Sequence, residues 1–278
     1  VAMLSPHYNL FGGVRIGAKI GLTELILRSE KRRDLLIFLK DGPKSIDEIQ
    51  AHLHVNSVYI LPQLKKLKDR NLVIQKDHTY ELSIMGKAIV DKMPPLLETL
   101  EVFEDNFDYW SQRNLEGIPP VLRSRIGELK DCKLIRPDLS HMFELDPEYV
   151  ENLLLSRKVF GFSSYFHPSF IPLYLELAKK EAEISIMLTE PVLKRFKTDH
   201  LENLKTLINF GHVSLSLFTK DPKLAGFTVT DRFLLLTVLP KIKFFEHESL
   251  LSFRPEALRW GTDLFSHLQK EAVQIKEI

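Results

Sequence analysis

SIDEIQAHLHVNSVYILPQLKKLKDRNLVIQKDHTYELS, residues 45–83, contains two capped helices followed by a hairpin. Ser45 is a good N-cap and Glu48 stands three residues on, which completes a capping box, while Ile46, Ile49 and Leu53 line an inner face. A tight His54-Val55 connection follows, and Asn56 or Ser57 starts a second helix running to about Asp69. Its angular positions place Ile60, Leu61, Leu64 and Leu67 toward a small core. Tyr59, Pro62 and Lys66 lie nearly opposite, with Val58, Gln63 and Lys65 at the margins. Pro62 removes an interior helical hydrogen bond, at a cost of up to about 3 kcal/mol, and its outward placement keeps the ring out of the core. Residues 72–75 and 79–82 alternate as two short strands around a Lys76-Asp77-His78 turn, and Ser83 caps a return helix with Ile84, Ala88 and Ile89 on one face.

Upstream, Leu25, Leu35, Leu36 and Leu39 recur at helical spacing over 24–39, around a charged patch of Arg28 and Lys31 to Arg33. Asp41-Gly42-Pro43 stops that helix. Each motif is weak alone. The order helix, capped helix, outward-facing helix, hairpin and return helix is specific, and it predicts a winged helix-turn-helix over 22–93. In such a unit the outward residues of the third helix enter the major groove of double-stranded DNA and the wing approaches phosphate. The candidate contacts are Ser57, Tyr59, Gln63, Lys65 and Lys66, with Arg32, Lys76 and His78 toward the backbone. A winged helix serving as a protein-interaction module is the competing reading. Charge agrees with the first: residues 1–92 carry 15 Lys/Arg against 10 Asp/Glu, a net +5, and residues 93–278 carry 23 against 27, a net −4.

Residues 1–21 form a Gly-rich N-terminal arm without clear periodicity, and the Gly12 to Gly21 stretch is no phosphate loop, because Lys19 is followed by Ile20. Residues 94–114 form a linker, with a helix over 96–110 on which Leu96, Leu100, Phe103, Phe107 and Trp110 follow the a/d rhythm of packed helices. That helix either lies on its own domain or forms the seam of a homodimer. Residues 115–278 alternate strands and helices, with a late antiparallel portion, and make an α/β domain. Asp146-Pro147-Glu148 is a strong helix start. Ser163, Ser164, His167, Thr189 and Glu190 end predicted strands, and Arg259 with Trp260 opens the final helix. This set either binds a small anionic effector or consists of capped turns, a core tryptophan and a locally paired arginine.

Several classes are excluded. No apolar run reaches the roughly 20 residues of a membrane span, so no membrane partner is expected. Cys132 is the only cysteine, which suits a reducing, cytoplasmic setting. HExxH and GxSxG are absent, and His52 with His54 is poor geometry for joint ligation, so neither a metal nor a cofactor nor a catalytic residue is expected.

The chain also resembles archaeal, mostly methanogen, transcriptional regulators that join an ArsR-like winged helix to a domain named for a methanogenesis regulator. The resemblance covers about residues 32–268. It rests on residues 36–43 (LIFLKDGP), 61–68 (LPQLKKLK), 132–145 (CKLIRPDLSHMFEL), 188–191 (LTEP), 229–233 (VTDRF) and 258–261 (LRWG). It implies a non-enzymatic, dimeric regulator. The larger domain is also similar to one half of a phospholipase D-like fold, but that fold's HxKxxxxD is missing: Leu201-Glu202 follows His200, and Val213-Ser214 follows His212. A phosphodiesterase is therefore a poor reading, and an architectural DNA-binding protein is the other rival. The metal-sensing side of the ArsR resemblance does not carry over, because its cysteine pair is absent.

Overall fold

Two compact units divide the chain, Val1–Pro94 and Pro95–Ile278. The computed structural model describes residues 21–137, 140, 141, 144–242 and 248–277. Apart from Gly21, the arm expected over 1–21 lies outside the described residues.

The first unit runs α1 (Leu22–Leu27), α2 (Glu30–Phe38), β1 (Lys44–Ser45), α3 (Ile46–Leu53), α4 (Ser57–Lys68), β2 (Val73–Lys76), β3 (Thr79–Leu82) and α5 (Ile84–Val90). The single helix expected over 24–39 is two, because Ser29 is extended and restarts the chain as α2. Gly42 ends the following 3-10 turn at φ 119°, a conformation open to glycine and strained for other residues. The capping box of α3 forms as read, with Ser45 Oγ accepting from the Glu48 amide at 3.3 Å and Glu48 Oε2 from the Ser45 amide at 2.7 Å. Lys31 of α2 donates to the Leu53 carbonyl at 3.1 Å, satisfying one orphan acceptor at the C-terminus of α3. The three strands order β1-β3-β2, all antiparallel. A strand of two residues shows no alternation, so β1 escapes a sequence reading. Leu25, Leu35, Leu36, Ile49, Ile60 and Leu64 centre the core.

On α5 the buried residues are Gly86 and Val90, while Ile84 is 90% exposed, so the expected inward face of Ile84 and Ala88 is turned outward. The cause is close packing. Ser83 donates to the Asn71 carbonyl and caps Gly86, which draws α5 onto the chain at Leu72.

The second unit contains α6 (Met93–Asp105), α7 (Phe107–Gln112), α8 (Pro120–Arg123), β4 (Lys133–Ile135), α9 (Pro147–Leu154), β5 (Lys158–Ser163), α10 (Phe170–Lys179), β6 (Glu183–Thr189), α11 (Glu190–Asp199) and α12 (Leu201–Ile208). It closes with β7 (Val213–Phe218), β8 (Gly226–Thr230), β9 (Leu234–Thr237), β10 (Ser249–Ser252), α13 (Pro255–Gln269) and β11 (Ala272–Ile275). One mixed sheet orders these strands β11-β7-β6-β5-β8-β9-β10-β4. β5, β6 and β7 are mutually parallel because helices connect them, and every other pairing is antiparallel.

Side chains alternate between two cores. On β6, Ile184, Ile186 and Leu188 join a cluster with Tyr149, Tyr174 and Phe196, and Met187 joins one with Trp260, Phe265 and Trp110. Trp260 is fully buried, and its indole N–H donates to the Leu122 carbonyl at 3.0 Å. Arg113, also buried, pairs with Glu248 and lies over the Tyr109 ring at 4.4 Å.

Gly86→Ala tests the α5 docking. A Cβ at Gly86 would stand 2.0 Å from the Leu72 carbonyl oxygen, with backbone rather than a flexible side chain in the way. The variant is expected to lose roughly 1–3 kcal/mol of stability, as overpacked sites do. Urea titration of the first unit's transition reads the loss; an unchanged midpoint would refute the close approach.

Candidate functional site

The exposed surface of α4 is set by how little of the helix is buried. Asn56 caps it, with Oδ1 accepting from the Tyr59 amide at 3.0 Å, and only Ile60, Leu64 and Leu67 are buried. Leu61 is 45% exposed, so the inward stripe is one residue narrower than its spacing predicts. The outward arc centres on Val58, Pro62, Lys65 and Lys66, flanked by Tyr59 and Leu61. Val58, 83% exposed, and Leu61 make the first two turns of that arc apolar, and Lys65 and Lys66 make the next turn basic.

Four of the predicted contact residues, Arg32, Ser57, Gln63 and Lys76, have partners within the unit. Gln63 Oε1 accepts from Arg32 Nη1 at 3.1 Å, linking α4 to α2. Ser57 Oγ accepts from Gln50 Nε2 at 2.7 Å, linking α4 to α3. Arg32 and Gln63 thus form one element rather than two independent ones. In the hairpin, Asp77 adopts φ 51° and makes the turn, Lys76 pairs with Glu81 at 2.5 Å, and His78 is exposed beside them. His52, read as a poor metal ligand, stacks on Phe38 with centroids 3.8 Å apart, while Lys44 stands over the other ring at 4.9 Å. His54 forms the left-handed turn between α3 and α4 at φ 53°. Among the described residues no group of three metal-ligating side chains occurs.

In the second unit the seam residues do not share a face. A break at Asn106, φ −132° and ψ 48°, separates α6 from α7, so the regular rhythm over 96–110 does not lie on one helix. Leu96, Leu100 and Phe107 are exposed at 50%, 44% and 66%. Trp110 is buried, and the half-buried Phe103 meets it edge-on at 5.6 Å.

The predicted effector residues are also dispersed. Ser163 Oγ donates to the Tyr165 carbonyl at 2.7 Å, and Ser164 Oγ to the Leu224 and Ala225 carbonyls at 2.9 Å. His167 Nδ1 accepts from the Ser169 amide at 3.2 Å. Ser164, Thr189 and Glu190 border one recess, and His167 borders a different cavity. The Arg259–Trp260 pair does not exist as a binding surface. Trp260 is wholly in the core, where the large apolar indole is best satisfied, and Arg259 turns to Glu256 at 3.3 Å. Asp263, one turn further along α13, pairs with Arg125 at 2.7 Å. Burial pushes the Cys132 thiol up to about 11, so at neutral pH it is protonated and a weak nucleophile.

Helices α1 to α5 with the β1-β3-β2 hairpin sheet define a winged helix-turn-helix unit joined to a mixed α/β unit. The N-terminal domain of the methanogenesis regulatory protein FilR1 matches residues 23–101, and the middle domain of that protein matches residues 142–271. The chain belongs to this family. Methanogenesis regulatory protein FilR1 of Methanothrix harundinacea (strain 6Ac) is 21% identical over 254 residues, covering 90% of this chain. The chain spans 57% of that relative's length.

Among solved structures, TrmBL2, described as an archaeal chromatin protein with a novel mode of DNA binding, aligns at a TM-score of 0.42 and 14% identity, over 88% of this chain and 93% of its own. A riboflavin-derivative dimethyltransferase, RosA, from Streptomyces davawensis aligns at a TM-score of 0.23 and 11% identity, over 67% of this chain and 60% of its own.

Proposed function

We propose that the chain is a non-enzymatic transcriptional regulator that binds double-stranded DNA through α4 and the wing. The observation that carries this reading is the surface of α4, whose outward arc presents Val58, Tyr59, Leu61, Pro62, Lys65 and Lys66 while only Ile60, Leu64 and Leu67 are buried. Lys65, Lys66 and Arg32, with Lys76 on the wing, supply cations for phosphate, and the exposed His78 stands beside Lys76 in the turn. Gln63, braced by Arg32, reaches a base edge in one geometry only, and Ser57 does so with its oxygen already accepting from Gln50. The apolar first turns of the helix suit contact with thymine methyl groups in the major groove. The larger unit is read as one half of a phospholipase D-like fold without its chemistry. Its mixed sheet clad by helices supports the fold, and the missing histidine–lysine pair removes the hydrolysis. No described helix is long and apolar enough to cross a membrane.

Lys66→Ala is expected to weaken binding to all duplexes alike, on the order of tenfold where it meets phosphate. Duplexes selected from a randomised pool and rebuilt with uracil for thymine are expected to lose roughly fourfold in affinity per contacted methyl. Fluorescence anisotropy measures both. Unchanged affinity in both experiments would refute contact through α4.

We also propose a homodimer through the exposed Leu96, Leu100 and Phe107, since helix-turn-helix units commonly read paired half-sites as dimers. Sedimentation equilibrium should show Leu100→Asp to be monomeric where the parent chain is dimeric. Equal masses for the two folded proteins would remove this surface from the interface.

A further inference from the structure

A second candidate ligand site lies at the polar end of the second unit's sheet, where His167 is the candidate effector residue that borders it. A cavity of about 400 Å3 opens where β4 and β9 end and β10 begins, against the start of α9. Ile135, Leu145 and Leu235 give it apolar walls, and Tyr149, Tyr165, Thr237 and Ser249 bring hydroxyl-bearing side chains to it. A smaller chamber of about 20 Å3 shares Tyr149, Tyr165 and Thr237 with it and adds Tyr174 and Thr228. That is room for one water-sized group.

The hydroxyls are arranged as a network. Tyr149 and Thr228 oxygens are 3.4 Å apart, and Thr237 and Ser249 oxygens 2.7 Å apart. Burial drives the Tyr149 phenol up to about 12 and raises the Tyr165 and Tyr174 phenols well above their ordinary value. All three remain neutral across the physiological range, able to donate and to accept.

We propose that this cavity binds a small uncharged organic molecule with an apolar ring or chain, its hydroxyl group seated among Tyr149, Tyr165 and Thr237. The ligand class follows from what the deep end contains. Hydroxyls satisfy a hydroxyl in both roles, whereas a buried ion at the deep end would meet neutral phenols and hydroxyls among the described residues and lose its hydration without a full opposite charge. Nearer the mouth, Arg136 Nε is engaged by Glu248 at 2.7 Å, and the Glu144 and Asp146 carboxylates stand with His141 and His167 among the described lining, so two negative charges there oppose an anion. Size sets the upper limit. A benzene-sized cavity is about 150 Å3, so about 400 Å3 admits two fused rings or a ring with a short chain. Binding stands on the cavity alone. A role for the ligand as an effector rests in addition on the DNA-regulator reading.

Three probes of one shape separate the possibilities: 2-naphthol, naphthalene and 2-naphthoate, each titrated into the full chain at pH 7 and followed by saturation-transfer NMR and calorimetry. 2-Naphthol is expected to bind at least fivefold more tightly than naphthalene and more tightly still than 2-naphthoate. Tyr165→Phe and Thr237→Val, which delete hydroxyls and keep shape, should bring 2-naphthol to the level of naphthalene. Leu235→Trp, which fills the apolar wall, should abolish binding of both. Circular dichroism spectra matching the parent chain certify that each variant is folded. Preference for the carboxylate, indifference to the hydroxyl deletions, or no binding of any probe would overturn the proposal. Saturation with 2-naphthol that leaves duplex affinity unchanged would overturn the effector role while the binding site stands. A ligand-free chain that binds no duplex at all, yet still binds 2-naphthol, would count against the regulator reading and not against the cavity.

Discussion

Burial of Ile60, Leu64 and Leu67 is the contact on which the first unit's surface depends. These three side chains seat α4 against a core of Leu35, Leu36 and Ile49, and they occupy one narrow side of a helix that is otherwise exposed. A helix so held needs its ends fixed by other means. Asn56 does this at the amino end, and Gln50 to Ser57 and Arg32 to Gln63 brace the flanks. Rigid support beneath and free side chains above are what a surface needs if it is to fit a groove without first being ordered, since ordering side chains on binding subtracts from affinity.

The second unit works under a different constraint, that of a sheet whose polar edge is built from both strand directions. The carboxyl ends of β5, β6 and β9 and the amino ends of β8 and β10 come to the same edge, as the pairs Ser163↔Gly226 and Gly226↔Thr237 require. Hydroxyl-bearing residues, Ser163, Thr189, Thr237 and Ser249, gather there because strand ends leave backbone groups that short polar side chains can satisfy. Gly226 is part of the same constraint, for a Cβ on it would stand 2.8 Å from the Phe162 carbonyl. The outcome is a recess with hydroxyl oxygens at its deep end over an apolar wall.

Much of this was legible in the residues, and the legible part was local. Ser45 with Glu48, Asn56, Ser83 and Asp146-Pro147 announce helix starts because a cap is completed within three residues of itself. Strands β6 and β7 could be bounded from alternation alone. What escaped was set by distant partners. β4 and β11 exist because β10 and β7 offer them ladders. The break at Asn106 hides inside an apparently continuous helical rhythm. Trp260 reads equally as a ligand contact or a core residue until the carbonyl of Leu122, far away in sequence, is seen to accept from it. The cavity could not be read at all, because Tyr149, Tyr165, Thr237 and Ser249 meet only through the sheet order.

The central claim is that the first unit binds duplex DNA through cations on α4, α2 and the wing, and the salt dependence of binding tests it most directly. Four candidate phosphate contacts, Arg32, Lys65, Lys66 and Lys76, predict that the logarithm of the association constant falls against the logarithm of salt concentration with a slope of about −3 to −4 per reading unit. A dimer would double it. Binding to a random-sequence duplex with a slope near zero, or no binding at low salt, would contradict the account.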